Sequence, residues 1–339
     1  MKTKKTSISV IIASLVIIIA GMKLSAAILA PFLFAIFVSI IAVFPLFWMY
    51  DKGINKGLAI TILISSMLLI GLTFTFVLGS SISNFINSLP KYEAILKSNI
   101  EAIIPVLADY GIDVSKSTFV KYINPSSALK TVGNIVSQLG NLLTNLFLIT
   151  FISIFILLEA SSLPNKLKYI LKGSTVSLAN LKEIGQNIKN YLLIKTYVSL
   201  LTGLVVTLAL YALQIDFAIL WGVIAFLLNY VPNIGSIMAA VPASMMAIIQ
   251  YGFSKFILVI ILYFFINIII GNIIEPKFMG KGLGLSTLVV FLSLIFWGWV
   301  LGIVGMFLSV PLTIIIKIVF SVSKDKKWVS ILLSDKIEQ

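Results

Sequence analysis

The sequence predicts an all-α polytopic membrane protein with six full crossings, two re-entrant or broken helical hairpins and a small helical lobe outside the membrane. Three observations carry that expectation. Sixty per cent of the 339 residues are apolar and only 11% are charged, with a mean hydropathy of +1.12, a balance beyond what a water-soluble domain carries. The apolar residues gather into runs near the roughly 20 residues that a helix needs to cross about 30 Å of hydrocarbon. Two of the longest runs are interrupted midway by Asn, Pro or Gly, which leaves arms too short to cross.

The expected crossings run from Ile8 to Met22, Ala26 to Met49, Leu58 to Ser83, Leu142 to Glu159, Thr196 to Leu213 and Phe256 to Ile273. The first follows Lys2, Lys4 and Lys5 and precedes Ser25-Ala26-Ala27, so it also has the outline of a cleavable signal peptide. Between the third and fourth crossings, Asn84 to Gly140 is a hydrophilic segment. Its apolar positions, among them Tyr92, Ile95, Leu96, Ile100 and Ile103, recur at helical spacing, with breaks expected at Pro90, Pro105, Gly111 and Pro125. Residues from Leu163 to Tyr191 set leucines and isoleucines among lysines, the pattern of an interfacial helix pair on an anionic leaflet.

The first broken run, Phe217 to Ile249, is interrupted at Asn229-Tyr230-Val231-Pro232-Asn233-Ile234-Gly235. Each arm has about 14 residues, or about 21 Å of helix. The second, Leu285 to Lys317, is interrupted at Trp297-Gly298-Trp299. Both are expected to enter the membrane, turn and leave by the same side. Lysine placement supports this parity. With both termini cytoplasmic, 18 of the 25 basic residues fall inside, as the positive-inside rule requires. The chain then divides into three membrane helices (1–83), the outer lobe (84–140), a membrane helix with cytoplasmic amphipathic helices (141–195), a core of two span-hairpin units (196–320) and a cytoplasmic tail (321–339). The two units face opposite ways, the order expected of an inverted-topology repeat in an alternating-access transporter. Their sequences are not visibly alike.

Composition also excludes chemistry. The chain has neither Cys nor His, which removes disulfides, the usual zinc ligands and thiol or Ser-His catalysis. No cofactor, metal or enzymatic activity is expected. The net charge of +13 comes from lysines clustered between apolar runs and describes topology, not a nucleic-acid surface.

Broken backbone inside lipid is tolerated only where protein or a cavity satisfies the freed amides. The first break therefore offers Asn229, Asn233 and Ser236 as ligands for a small polar solute, although Asn233 or Ser236 can equally cap the second arm. Asn267, Asn272 and Glu275 form a second candidate group, in which Asn267 can instead bond a neighbouring helix. Pro232, Gly235, Pro276, Gly280, Gly282, Gly284 and Gly298 are expected hinges. Gly302 and Gly305 are expected to let helices pack closely. The acids Glu159, Asp216 and Glu275 all stand at span ends, which favours a neutral solute and little or no ion coupling.

Trp221 to Pro242 (WGVIAFLLNYVPNIGSIMAAVP), Gly271 to Leu288 (GNIIEPKFMGKGLGLSTL), Val289 to Lys317 and the closing Leu332-Leu333-Ser334-Asp335 resemble the autoinducer-2 exporter family. The resemblance covers essentially the whole chain and is strongest after Tyr191. It implies a bacterial inner-membrane homo-oligomer that moves autoinducer-2, a small hydroxyl-rich molecule, outward. Some members of the family are credited instead with sodium or lithium exchange for protons. Lysines at 277 and 281, where relatives often carry Arg, keep the charge but lose the planar fork. A scaffold that transports nothing is the remaining alternative, against which the paired broken hairpins argue.

Overall fold

The computed structural model describes residues 8–109, 129–130, 132–134, 136–137, 140, 144–160, 166, 169, 178–231, 235–279, 284–322 and 327–335. Helices account for nearly all of them: α1 (Ile8–Leu24), α2 (Ala26–Asp51), α3 (Lys56–Asp109), α4 (Leu146–Ala160), α5 (Leu178–Ala212), α6 (Ala218–Leu228), α7 (Gly235–Tyr251), α8 (Phe253–Ile266), a π-helical segment (Asn267–Ile274), α9 (Glu275–Met279), α10 (Thr287–Val322) and α11 (Lys327–Leu333). Five stretches among the described residues are long and apolar enough to cross a membrane: Ala26–Asp51, Lys56–Asn99, Ile188–Ala212, Phe253–Phe278 and Thr287–Ser321. Large apolar side chains stand outward along them, with Phe76 79% exposed, Leu72 71% and Phe264 61%. Water would penalise that arrangement and hydrocarbon does not.

Two expectations about helix ends need correction. The helix that continues past Ser83 into the segment expected to form a lobe does not stop at Pro90 or Pro105, because α3 continues to Asp109. Pro90 removes only one intrahelical bond, and Phe85 and Tyr92 on either side of it are buried in a core that holds the helix straight through. Likewise the segment before Thr196 is not a separate interfacial helix, since α5 runs unbroken for 35 residues from Leu178. Gly111, Pro125 and most of Leu163 to Val176 lie outside the described residues.

The chain forms two compact units. One comprises Met1–Leu68, Phe147–Leu193 and Met279–Gln339. Within it, Ser39 on α2 and Ser153 on α4, both essentially inaccessible, donate to the same Ala35 carbonyl, at 2.7 and 3.1 Å. Two small hydroxyls thereby join two helices in a setting where polar side chains serve as interhelical contacts. The second broken run also belongs to this unit and is a tight hairpin. Trp297 Nε1 donates to Thr313 Oγ1 at 3.3 Å, although a straight helix would hold residues 16 apart at about 24 Å. The turn is at Gly302, with φ +67° and ψ −149°, a conformation open essentially to glycine alone.

The sequence expectation put this turn at Trp297-Gly298-Trp299 and gave Gly302 a packing role. Gly298 instead stays helical, and its missing side chain admits Met306 from the returning arm. Gly305 lies so close to the Trp297 carbonyl that a Cβ would overlap it. At the root of the hairpin, Lys317 Nζ donates to the Gly284 carbonyl at 2.8 Å. The C-terminal segment clasps the same linker, with Asp335 N–H on Gly284 O at 3.1 Å and Ser286 N–H on Leu333 O at 3.1 Å.

The other unit comprises Leu69–Leu146 and Ile194–Phe278. Trp221, Phe85, Leu210, Leu220 and Ile224 are fully buried at its centre, and the Phe85 and Trp221 rings meet edge to face at 5.2 Å. α5 and α6 approach at Gly203 and Gly222, where a Cβ on either would come within 2.8 Å of the other's carbonyl oxygen. α6 and α7 form the first hairpin. Asp216 N–H donates to Gln250 Oε1, 34 residues on, at 3.1 Å, so the chain leaves and returns at one end. From α3, Tyr92 donates to Asp216 Oδ2 at 2.6 Å and Asn99 to the Ile249 carbonyl at 3.2 Å, bracing both strands of that root.

Candidate functional site

The polar groups of the second unit converge where the first hairpin turns. α5 is an apolar helix, yet Lys195, Ser199 and Thr202, at i, i+4 and i+7, form one polar stripe, and all three are buried. Lys195 and Ser199 face counterparts on other elements, while Thr202 donates to the Val198 carbonyl of its own helix. Ser199 Oγ accepts from Asn229 Nδ2 at 2.9 Å, Thr196 beside the stripe accepts from the Tyr230 hydroxyl at 2.8 Å, and Lys195 Nζ donates to Glu275 Oε1 at 2.6 Å. Asn229 and Tyr230 are the residues where α6 ends, so the interrupted backbone is stitched to α5 by side chains. Gly235 opens α7 against the Leu228 carbonyl, where no Cβ would fit.

Opposite this stripe, the helix that begins as α8 widens to π geometry over Asn267–Ile274. Pro276, two residues beyond it, has no N–H to return to the Asn272 carbonyl. The break expected at Pro276 is therefore absent, and the chain stays helical through Glu275–Met279 in place of a hinge. π turns are rare and concentrate at functional sites. Here the widened turn carries Asn267 and Gly271 to the lining of a small cavity with Thr202, Asn229, Ser236 and Tyr263. Its volume, about 10 Å³, is near the minimum for one water molecule. Ser236, Tyr263 and Asn267 also line a second cavity of about 420 Å³ between α7 and α8, which opens on the side where Ile237, Val241, Ile260 and Phe264 are exposed. That volume falls in the range of small-molecule sites, about 300–1,000 Å³.

Among the described residues, no charged side chain lines either cavity. Two buried hydroxyls, Ser244 Oγ and Tyr263 OH, have no hydrogen-bond partner among the described residues, a deficit of about 1–3 kcal/mol each. Both residues line the larger cavity.

Of the sequence candidates, Asn229, Ser236 and Asn267 meet at the small cavity. Asn272 is exposed and lines neither cavity. Asn233, Pro232, Gly280 and Gly282 lie outside the described residues. Gly284 takes φ +65°, the left-handed conformation a glycine permits. Glu275 corrects the view that every acid sits at a hydrated span end, because its side chain is 16% exposed and paired with a lysine 5% exposed. Sequence reasoning passed over Thr202, Tyr263, Ser244 and Lys195 as site residues. The polar stripe on α5 was legible from spacing alone, whereas a tyrosine in an apolar run gives no signal.

Membrane-length helices, backbone broken between buried polar groups and a cavity against the break define a multi-pass membrane transport protein. Residues 12–325 match the AI-2E family transporter profile, and the chain belongs to that family. It is 40% identical over 328 residues to the AI-2 transport protein TqsA of Escherichia coli strain K12, covering 97% of this chain and 95% of the relative. It is 39% identical to a putative transport protein of Haemophilus influenzae, covering 96% and 95%. The putative transport protein YhhT of E. coli K12 is 35% identical, covering 95% and 92%.

Proposed function

We propose that this protein exports a small, hydroxyl-rich solute, autoinducer-2, across the bacterial inner membrane by alternating access, as a homo-oligomer with both termini cytoplasmic. The observation that carries the reading is the lining of the two cavities at the first hairpin, which share Ser236, Tyr263 and Asn267 and have no charged side chain among the described residues. Asn229, Ser236 and Asn267, with Thr202 and Tyr263, present amide and hydroxyl groups to a solute of the same chemistry. Such groups bind a neutral solute without a compensating ion. The name of the E. coli relative supports the choice of solute. Both hairpins act as re-entrant elements in this reading. In proteoliposomes holding the purified protein, autoinducer-2 crosses in either direction down its gradient, with little change on imposing a sodium or proton gradient. A cysteine at Met279 labels only after cells are permeabilised, and labelling in intact cells would overturn the topology.

The buried Lys195–Glu275 pair favours a second reading, cation exchange for protons, because a carboxylate inside the membrane is the usual carrier of a coupling ion. Sodium-driven proton movement abolished by Glu275→Gln, without autoinducer-2 flux, selects it.

A further inference from the structure

Lys195 is the one charged group on the polar stripe of α5, and it is 4% exposed. It lies seven residues, about 10 Å along the helix, from Thr202 in the cavity wall. Glu275 follows Gly271 of the same wall by four residues on the opposite element. The pair therefore sits next to the cavity while lining neither part of it. At 2.6 Å the carboxylate cancels the ammonium, so the field reaching the cavity is that of a compact dipole. An uncancelled buried cation at about 10 Å would attract an anion by roughly tenfold in affinity at an effective dielectric near 20.

We propose that Glu275 makes this site selective for uncharged solutes by cancelling Lys195, so that neutral polyhydroxylated molecules are carried and anionic analogues of the same size are refused. The inference rests on the reading that the cavities hold the solute. It assigns Glu275 a positioning and specificity role through Lys195, without contact to the solute. The physical basis is the lining itself. Asn229 already spends an amide donor on Ser199, and among the described residues no cation lines the cavity, so a carboxylate there would be desolvated without a partner. A neutral hydroxyl compound avoids that penalty and supplies partners to Tyr263 and Ser244.

The test is a matched pair of labelled four-carbon probes, erythritol and its anionic acid erythronate, with autoinducer-2 as the reference solute in the same proteoliposomes. The wild type is expected to carry erythritol at least tenfold faster than erythronate. Glu275→Gln, which leaves Lys195 unpaired, is expected to bring the ratio to near one. The double variant Lys195→Met/Glu275→Met, in which no buried charge is left, restores the preference for erythritol. A structural role for the pair would lower both fluxes together and leave the ratio unchanged, which contradicts the inference. Equal fluxes in the wild type overturn it without any variant and leave the transport reading standing if autoinducer-2 moves. Absence of saturable flux of all three compounds overturns both.

Discussion

The outgoing arm of the first hairpin ends on the polar residues Asn229 and Tyr230, while the second hairpin turns on Gly302. In the first, Asn229 and Tyr230 at the end of α6 are held by Ser199 and Thr196 of α5. In the second, the arms are locked on each other, with Trp297 bonded to Thr313 and Gly305 pressed on the Trp297 carbonyl. The roots are alike. Each is closed by side-chain hydrogen bonds across more than 30 residues, Asp216 to Gln250 and Tyr251 to Gln214 in the first and Lys317 to Gly284 in the second. The returning arms are alike too, each entered on a glycine against a carbonyl of the outgoing arm and followed by Val-Pro, at Val241-Pro242 and Val310-Pro311. One architecture thus carries two kinds of tip. The polar tip depends on its neighbours for hydrogen bonds and adjoins the cavities, whereas the apolar tip is self-sufficient.

The largest effect expected from this contrast falls on the ion pair beside the polar tip. Lys195→Met strands a buried carboxylate and should destabilise the protein by about 3–5 kcal/mol, with the double variant Lys195→Met/Glu275→Met recovering most of it. Thermal unfolding in detergent measures this, and a double variant as unstable as the single would contradict the pairing. Next come the glycines that seat the returning arms. Gly305→Ala and Gly235→Ala each force a Cβ into a backbone carbonyl and should cost about 1–3 kcal/mol or more in the same assay.

How much of this could be read in advance follows from the kind of signal each feature leaves. Asn229, Pro232, Asn233 and Gly235 within seven residues of one apolar run point to a hairpin, because so many polar and helix-breaking groups in lipid need protein or a cavity to satisfy the freed backbone. The turn at Gly302 was misplaced to Gly298 because several glycines stand within one apolar run, and only the backbone tells which one takes positive φ. Asn229, Ser236 and Asn267, which share the lining of the small cavity, stand out in the sequence because a polar residue in lipid is itself conspicuous. The burial of Glu275 was missed because its place near a span end hid its partner, Lys195, which is 80 residues away. The π segment has no signature of its own beyond Pro276 downstream.

Smaller effects sharpen the comparison between the tips. Asn229→Ala removes one bond to Ser199, about 1 kcal/mol, so membrane abundance should stay near normal while autoinducer-2 flux falls several-fold or more. Flux at the wild-type rate would remove Asn229 from the site. Tyr263→Phe removes a hydroxyl that lacks a partner among the described residues, so stability should hold or rise slightly while the apparent KM for the solute increases. An unchanged KM would leave that hydroxyl outside the transport path.

The chain has no cysteine, which gives the most direct test of the claim that the polar tip handles the solute. Cysteine introduced at Ser236, in the lining of both cavities, and at Met306, on the returning arm of the second hairpin, can each be modified with a small uncharged thiol reagent in proteoliposomes. Autoinducer-2 is expected to slow modification at position 236 saturably and to leave position 306 unaffected. No protection at 236, or equal protection at both, would contradict the account.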